Sequence, residues 1–237
     1  MDDKLYTIPV KEALETDCEC CVCKMYEQIE KGAIEFTMGP SYMEDDIRFQ
    51  TDEKGFCSVH SKKLYDYNNR LGLGIIMNTH LKRTINDIEK LSSNAKGGGF
   101  FKKKDYSELT DYINKLNSSC FVCDRINNTF ERYIATIFHL WKNDKDFVTK
   151  YSGCKGFCTK HFGLLVSEAK NNLMGSSYEE FLDKTIDLYL SNMKRVNDDV
   201  DWFVDKFDYR FKDEPWKNSK DALPRCITKT NSINVEL

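Results

Sequence analysis

Apolar positions recur along the chain at intervals of three and four residues between short polar breaks, the period of helices that bury one face. Pro9 opens a short helix through position 15, and a second is expected over 22–36 with Tyr26, Ile29, Ala33 and Ile34 on one face. Gly39-Pro40 stops it. Residues 41–53 read as a polar, acidic connection in which Ile47 and Phe49 alternate like a short extended piece. Helices follow over 57–70 and 73–91, the latter with Ile76, Leu81, Ile85, Ile88 and Leu91 spaced for burial.

A stretch over 92–104, holding Gly97-Gly98-Gly99 and Lys102-Lys103-Lys104, is the clearest linker. Beyond it a helix is capped near Ser107, and a long helix after Cys120 carries a broad stripe of Ile126, Phe130, Ile134, Ile137, Phe138 and Trp141. A helix over 158–173 comes next. Ser177 and Glu180, three apart, form a capping box that launches a last long helix to about 207, with Phe181, Leu182, Ile186, Leu190, Met193, Val196, Val200 and Phe203 along it. Few alternating β-branched runs remain to build a sheet. The expected fold is therefore all-α: two tandem, pseudo-repeated helical modules over 1–96 and 107–207, a linker over 97–106, and an aromatic-rich C-terminal tail over 208–237 that packs on the core. Positions 207–216 hold four aromatics, Phe207, Tyr209, Phe211 and Trp216. This tail either folds back over the helices or forms a recognition surface anchored by Trp216 and Arg225.

The chemistry lies in a duplicated frame. Lys-Gly-Phe-Cys-x-x-His occurs at 54–60 and again at 155–161, each copy preceded by a Cys-x-x-Cys, Cys20/Cys23 and Cys120/Cys123. The spacers agree: 33 residues separate Cys23 from Cys57, and 34 separate Cys123 from Cys158, which points to repeated architecture and not to a chance motif. Each half thus offers three thiols and one imidazole, Cys20, Cys23, Cys57 and His60 in the first and Cys120, Cys123, Cys158 and His161 in the second, a closed tetrahedral zinc set. Two Zn2+ ions per chain are expected. A Cys and a His three apart share a helix face, and a thiolate at a helix start also meets the positive end of the helix dipole. Four protein ligands leave no position for a water, so such sites hold shape and activate nothing.

Ten cysteines in one chain sharpen this assignment. The amino-terminal Met-Asp-Asp-Lys lacks the apolar run of a signal peptide and no 18-residue apolar stretch occurs, which places the protein in the cytoplasm with no membrane span. Thiols there point to metal or redox use before disulfides. Cys18/Cys21 offers a second Cys-x-x-Cys register; Cys20/Cys23 is preferred because Cys-Cys-Val-Cys then aligns with Cys-Phe-Val-Cys at 120–123. Cys154 is a neighbour of the metal or a buried thiol. Cys226, His80 and His139 are read as packing residues. The Asp198, Asp199, Asp201 and Asp205 cluster scatters around a helix and is read as a solvated face. Formal net charge is −3, and neither half carries the positive excess that nucleic-acid backbones require. No serine triad, phosphate loop or carboxylate pair presents itself, so the chain is read as more a non-enzyme than an enzyme.

These frames, with Asn69-Arg-Leu-Gly-Leu73, Met77-x-Thr-His-Leu81, Asp201-Trp-Phe, Lys206-Phe-Asp-Tyr-Arg210 and Pro215-Trp216, resemble an uncharacterised bacterial family common in anaerobes and defined by a domain of unknown function. The resemblance runs nearly end to end and implies a bacterial cytoplasmic protein. Relatives sometimes carry an automated name of the ABC-transporter substrate-binding type, which this sequence, with no export signal, lipoprotein cysteine or alternating strands and helices, does not support. Two functions follow from the residues: a zinc-stapled helical adaptor for a protein partner, or a thiol redox sensor or oxidoreductase that cycles the same cysteines, with an iron–sulfur cluster as a minor variant.

Overall fold

The computed structural model describes residues 6–95 and 104–233. Positions 97–103 of the expected linker, the first five residues and the last four lie outside this description. Eleven α-helices fill the described residues: α1 (Thr7–Glu15), α2 (Cys21–Met38), α3 (Asp45–Lys54), α4 (Ser58–Asp66), α5 (Arg70–Asn94), α6 (Ser107–Ser118), α7 (Phe121–Asn143), α8 (Lys145–Gly153), α9 (Thr159–Asn172), α10 (Gly175–Asp205) and α11 (Ala222–Asn231). Short 3₁₀ turns occur at Pro40–Met43 and Tyr209–Phe211. No β-strand occurs among the described residues, and none of these helices is long and apolar enough to cross a membrane.

The chain divides into two compact units, but not at the glycine-rich stretch. One unit is Met1–Gln28 together with Phe130–Leu237; the other is Ile29–Thr129. Both boundaries fall inside helices: α2 starts in the first unit and ends in the second, and α7 does the reverse. An 18-residue helix is about 27 Å long at 1.5 Å per residue, so each carries the chain away from the cysteines at its own start.

In the first unit the expected stripe of α7 is buried: Ile134, Ile137, Phe138 and Trp141 meet Phe147 and Tyr151 of α8, Leu165 of α9 and Phe181 of α10 in one core. Its centre is aromatic, with Phe138 and Trp141 at 5.0 and 5.1 Å from Phe181 and Trp141 edge-on to Tyr151 at 5.4 Å. The Tyr151 hydroxyl meets the Thr185 hydroxyl at 2.8 Å, which satisfies both groups in an apolar interior. The inward face of α10 is Phe181, Thr185, Leu188 and Val196. Ile186 and Leu190, placed on that face by the sequence, point outward. The helix also begins at Gly175, two residues before Ser177, so the expected capping box does not form its start.

The second unit corrects two further expectations. Residues 45–54 are helical, not extended: Asp45 and Asp46 stand in the first turn of α3 and Lys54 in the last, matching the helix dipole, while Ile47 and Thr51 bury one turn apart. On α5, Ile76 is buried but Leu81 and Ile85 are more than half exposed, because α3 covers the face that carries Gly72, Ile76 and Thr79. Asn69 caps α5 by accepting from the Gly72 N–H at 2.9 Å and donates to the Met38 carbonyl at 2.8 Å.

The C-terminal segment returns to α10. The Trp202 indole donates to the Pro215 carbonyl at 3.0 Å, and the Lys206 ammonium donates to the carbonyls of Phe211, Lys212 and Glu214. Arg225 is held by Asp199 at 2.8 Å and Asp221 at 2.9 Å, so it serves the fold and does not stand free as a recognition anchor.

Candidate metal centres

Each Lys-Gly-Phe-Cys frame makes the same local turn. Gly55 and Gly156 take φ of +58° and +76°, the left-handed region where a side chain is strained. Space enforces glycine too: an added Cβ would lie 2.7 Å from the His80 ring at Gly55 and 3.0 Å from the Leu188 carbonyl oxygen at Gly156. The turn delivers Cys57 and Cys158 to the N-cap positions of α4 and α9, and His60 and His161 follow one turn in. Cys20 and Cys120 stand immediately before α2 and α7, where each sulfur accepts the backbone N–H of Cys23 or Cys123 at 3.4 Å. All eight residues therefore occupy the first turns of four helices, whose positive ends favour thiolates.

The structure brings all eight together, in a pairing that the halves of the sequence did not suggest. Cys20 and Cys23 meet Cys158 and His161; Cys120 and Cys123 meet Cys57 and His60. Each Cys-x-x-Cys joins the Cys-x-x-His of the other half, and each group of four lies within one compact unit. Expecting one group per half was incorrect. The cause is the length of α2 and α7, which run out of the unit in which they start.

Geometry matches one ion per group. In the first centre the His161 Nδ1 lies 3.5, 3.3 and 3.2 Å from the sulfurs of Cys20, Cys23 and Cys158, and Cys23 and Cys158 are 3.6 Å apart. In the second the His60 Nδ1 lies 3.3, 3.4 and 3.3 Å from Cys57, Cys120 and Cys123, and Cys57 and Cys123 are 3.9 Å apart. A tetrahedral zinc with ordinary Zn–S and Zn–N bonds puts its ligand atoms roughly 3.6 Å (S to N) and 3.8 Å (S to S) apart. The donor set and the spacing both fit.

The thiols of each group also shift one another. Burial, with the neighbouring Cys158, pushes the Cys20 thiol up to about 12, and burial with the neighbouring Cys120 does the same to Cys123. Cys23 is driven upward by Cys158 and Cys20, while Cys158 is held far below its ordinary value by the hydrogen bonds it receives from Cys20 and Cys23. Cys57 is lowered as well: burial works against ionisation but the His60 N–H and the neighbouring thiols outweigh it. A divalent cation among these crowded thiols is what would let all three ionise.

Several partners had no sequence signal. The His60 Nε2 meets the Glu30 carboxylate at 3.2 Å, which also pairs with Lys63, the arrangement that fixes a metal-ligating imidazole. At the corresponding place, 100 residues on, Phe130 packs against His161 with ring centres 5.7 Å apart. Ser232 donates to the Cys158 sulfur at 3.0 Å. The Cys18/Cys21 register is not used: Cys21 instead contacts the Cys154 thiol, outside both groups. His80 is half-buried with its Nδ1 2.8 Å from the Asp52 carbonyl, a packing residue as expected.

Fold and centres define an all-helical protein with two Cys3His groups able to hold metal. The chain belongs to DUF6062, a family of unknown function whose profile matches residues 1–236. No curated protein and no solved structure matches it.

Proposed function

We propose that the protein is a zinc-stapled helical scaffold with two structural Zn2+ ions, held by Cys20, Cys23, Cys158 and His161 and by Cys57, His60, Cys120 and Cys123, and that it serves in the cytoplasm as a non-enzymatic adaptor for a protein partner. The observation that supports this reading is the pair of groups, each of three sulfurs and one imidazole nitrogen, whose four atoms all lie within 4.8 Å of one another. A closed set has no position for substrate or hydroxide, so the ions act on stability and shape. Exposed aromatics such as Phe207 and Tyr209 supply surface for the partner. Protein purified without chelator should contain two zinc ions per chain, and their removal should abolish most of the helical circular dichroism. A fully helical metal-free protein would overturn the reading.

Redox use of thiols is the second reading, favoured by one observation: Cys21 and Cys154 touch each other and belong to neither centre. It predicts a metal-free protein whose thiols alkylate within minutes near neutral pH.

A further inference from the structure

The two centres are built alike but finished differently. In both, the lysine before the glycine turn presents a carbonyl that must be bonded. In the second unit the Ser119 hydroxyl, beside Cys120, donates directly to the Lys54 carbonyl at 2.6 Å. At the corresponding position beside Cys20 stands Glu19, an acceptor when ionised, which cannot bond the Lys155 carbonyl in this way. The missing donor comes from the far end of the chain: the Lys229 ammonium of α11, only 1% exposed, donates to the Lys155 carbonyl and to the Glu19 carbonyl at 2.6 Å, and lies 3.4 Å from the Glu19 carboxylate. One buried cation therefore ties together the two loops that carry Cys20 and Cys158. Three residues on, Ser232 donates its hydroxyl to the Cys158 sulfur, and the Lys229 carbonyl accepts from Thr159 at 3.2 Å.

Charge gives this contact a purpose. A zinc ion with three thiolates and one neutral imidazole carries a net negative charge in a buried place, and Lys229 with Arg195, both paired with the one Glu19 carboxylate, leaves one positive charge to offset it. A hydroxyl donated to a metal-bound thiolate also draws off the electron density by which a competing electrophile or chelator starts ligand exchange. Cys20, Cys158 and His161 are buried, with Cys158 fully inaccessible. Cys23 of the first centre and Cys57 and Cys123 of the second are partly exposed, so the difference falls at the Cys-x-x-His thiol: Cys158 is covered and its counterpart Cys57 is not, while Glu30 meets only the His60 imidazole.

We propose that α11 locks the first centre through Lys229 and Ser232, so that the two centres hold their ions unequally and the one built on Cys57 and Cys123 is the exchangeable, thiol-reactive centre. This rests on the zinc reading above. Lys229 and Ser232 are positioning residues, not ligands.

The test uses the full chain loaded with two zinc ions, mixed with excess of the metallochromic chelator 4-(2-pyridylazo)resorcinol, while N-ethylmaleimide pulses followed by peptide mass spectrometry locate the freed thiols. One equivalent should leave at least tenfold faster than the other, with Cys57, Cys120 and Cys123 labelled first. Lys229→Met and Ser232→Ala should each accelerate the slow equivalent on the order of tenfold, the range for residues that support metal ligands, and leave the fast one unchanged. Ser232→Ala removes a single hydroxyl and keeps the test valid if Lys229→Met does not fold. Release of both ions in one phase, first labelling at Cys20 or Cys158, or an unaltered slow phase in Ser232→Ala overturns the lock. A chain that takes up no zinc overturns the zinc reading instead, which keeps the two failures distinct.

Discussion

At the scale of single residues, backbone conformation and space decide more than side-chain chemistry. Gly156 combines φ of +76° with a carbonyl oxygen 3.0 Å from where its Cβ would be, so Gly156→Ala should destabilise the zinc-loaded protein by about 1–3 kcal/mol in urea titration. Gly163 is the contrasting case. It lies within α9 with nothing near its Cβ position, and Gly163→Ala should stabilise by about 0.5–1 kcal/mol in the same titration. Equal effects would show that the left-handed turn is not what glycine supplies to the frame. The eight residues that the structure gathers into two groups were legible because residue type, number and spacing agreed twice. Glu30, Lys229 and Ser232 were not, since a glutamate, a lysine and a serine far along the chain carry no periodic or motif signal; only folding places them at the ligands.

Among the elements, long helices with wide apolar stripes were readable, and of the short ones α3 and α8 were not. The stripe on α7 is one continuous face, whereas α3 and α8 bury only Ile47 with Thr51 and Phe147 with Tyr151, a pattern too brief to fix a period. α8 is set by a cap instead: the Asp144 carboxylate accepts the Phe147 N–H at 3.1 Å, and Lys11 pairs with the same carboxylate, holding it below the usual carboxylate range. On α10 and α5 the period was right but the face was partly misassigned, because an apolar residue beside the stripe looks identical in sequence whether or not a neighbour covers it. Phe181 and Ile186 make this measurable. Phe181 is fully buried against Phe138, Trp141 and Tyr151, and Phe181→Ala should cost about 3–5 kcal/mol of unfolding free energy. Ile186 is 38% exposed, and Ile186→Ala should stay within about 1 kcal/mol. Comparable losses at both positions would mean that α10 packs through the stripe read from sequence.

For the whole molecule, the decisive feature is connectivity. Because the two halves offer equivalent ligand pairs, each Cys-x-x-Cys is chemically complete with either Cys-x-x-His, and no spacing argument chooses between them. The choice is made by α2 and α7, which leave one compact unit and enter the other, so that each unit is closed by a segment from each half of the chain. Such an exchange of equivalent segments resembles domain swapping carried out within one polypeptide. Metal binding would then join distant parts of the sequence, 135 to 141 residues apart in the first centre and 60 to 66 in the second. A cross-link over so long a loop removes much of the freedom of the unfolded chain.

Metal content of paired cysteine variants tests this connectivity most directly. Cys20→Ser with Cys158→Ser removes two ligands from one centre, and the protein should retain one zinc ion per chain; Cys57→Ser with Cys120→Ser should do the same. Cys20→Ser with Cys57→Ser damages both centres and should retain none. If Cys20→Ser with Cys57→Ser keeps one ion while Cys20→Ser with Cys158→Ser keeps none, the centres are built within the halves of the sequence and the crossed pairing is contradicted.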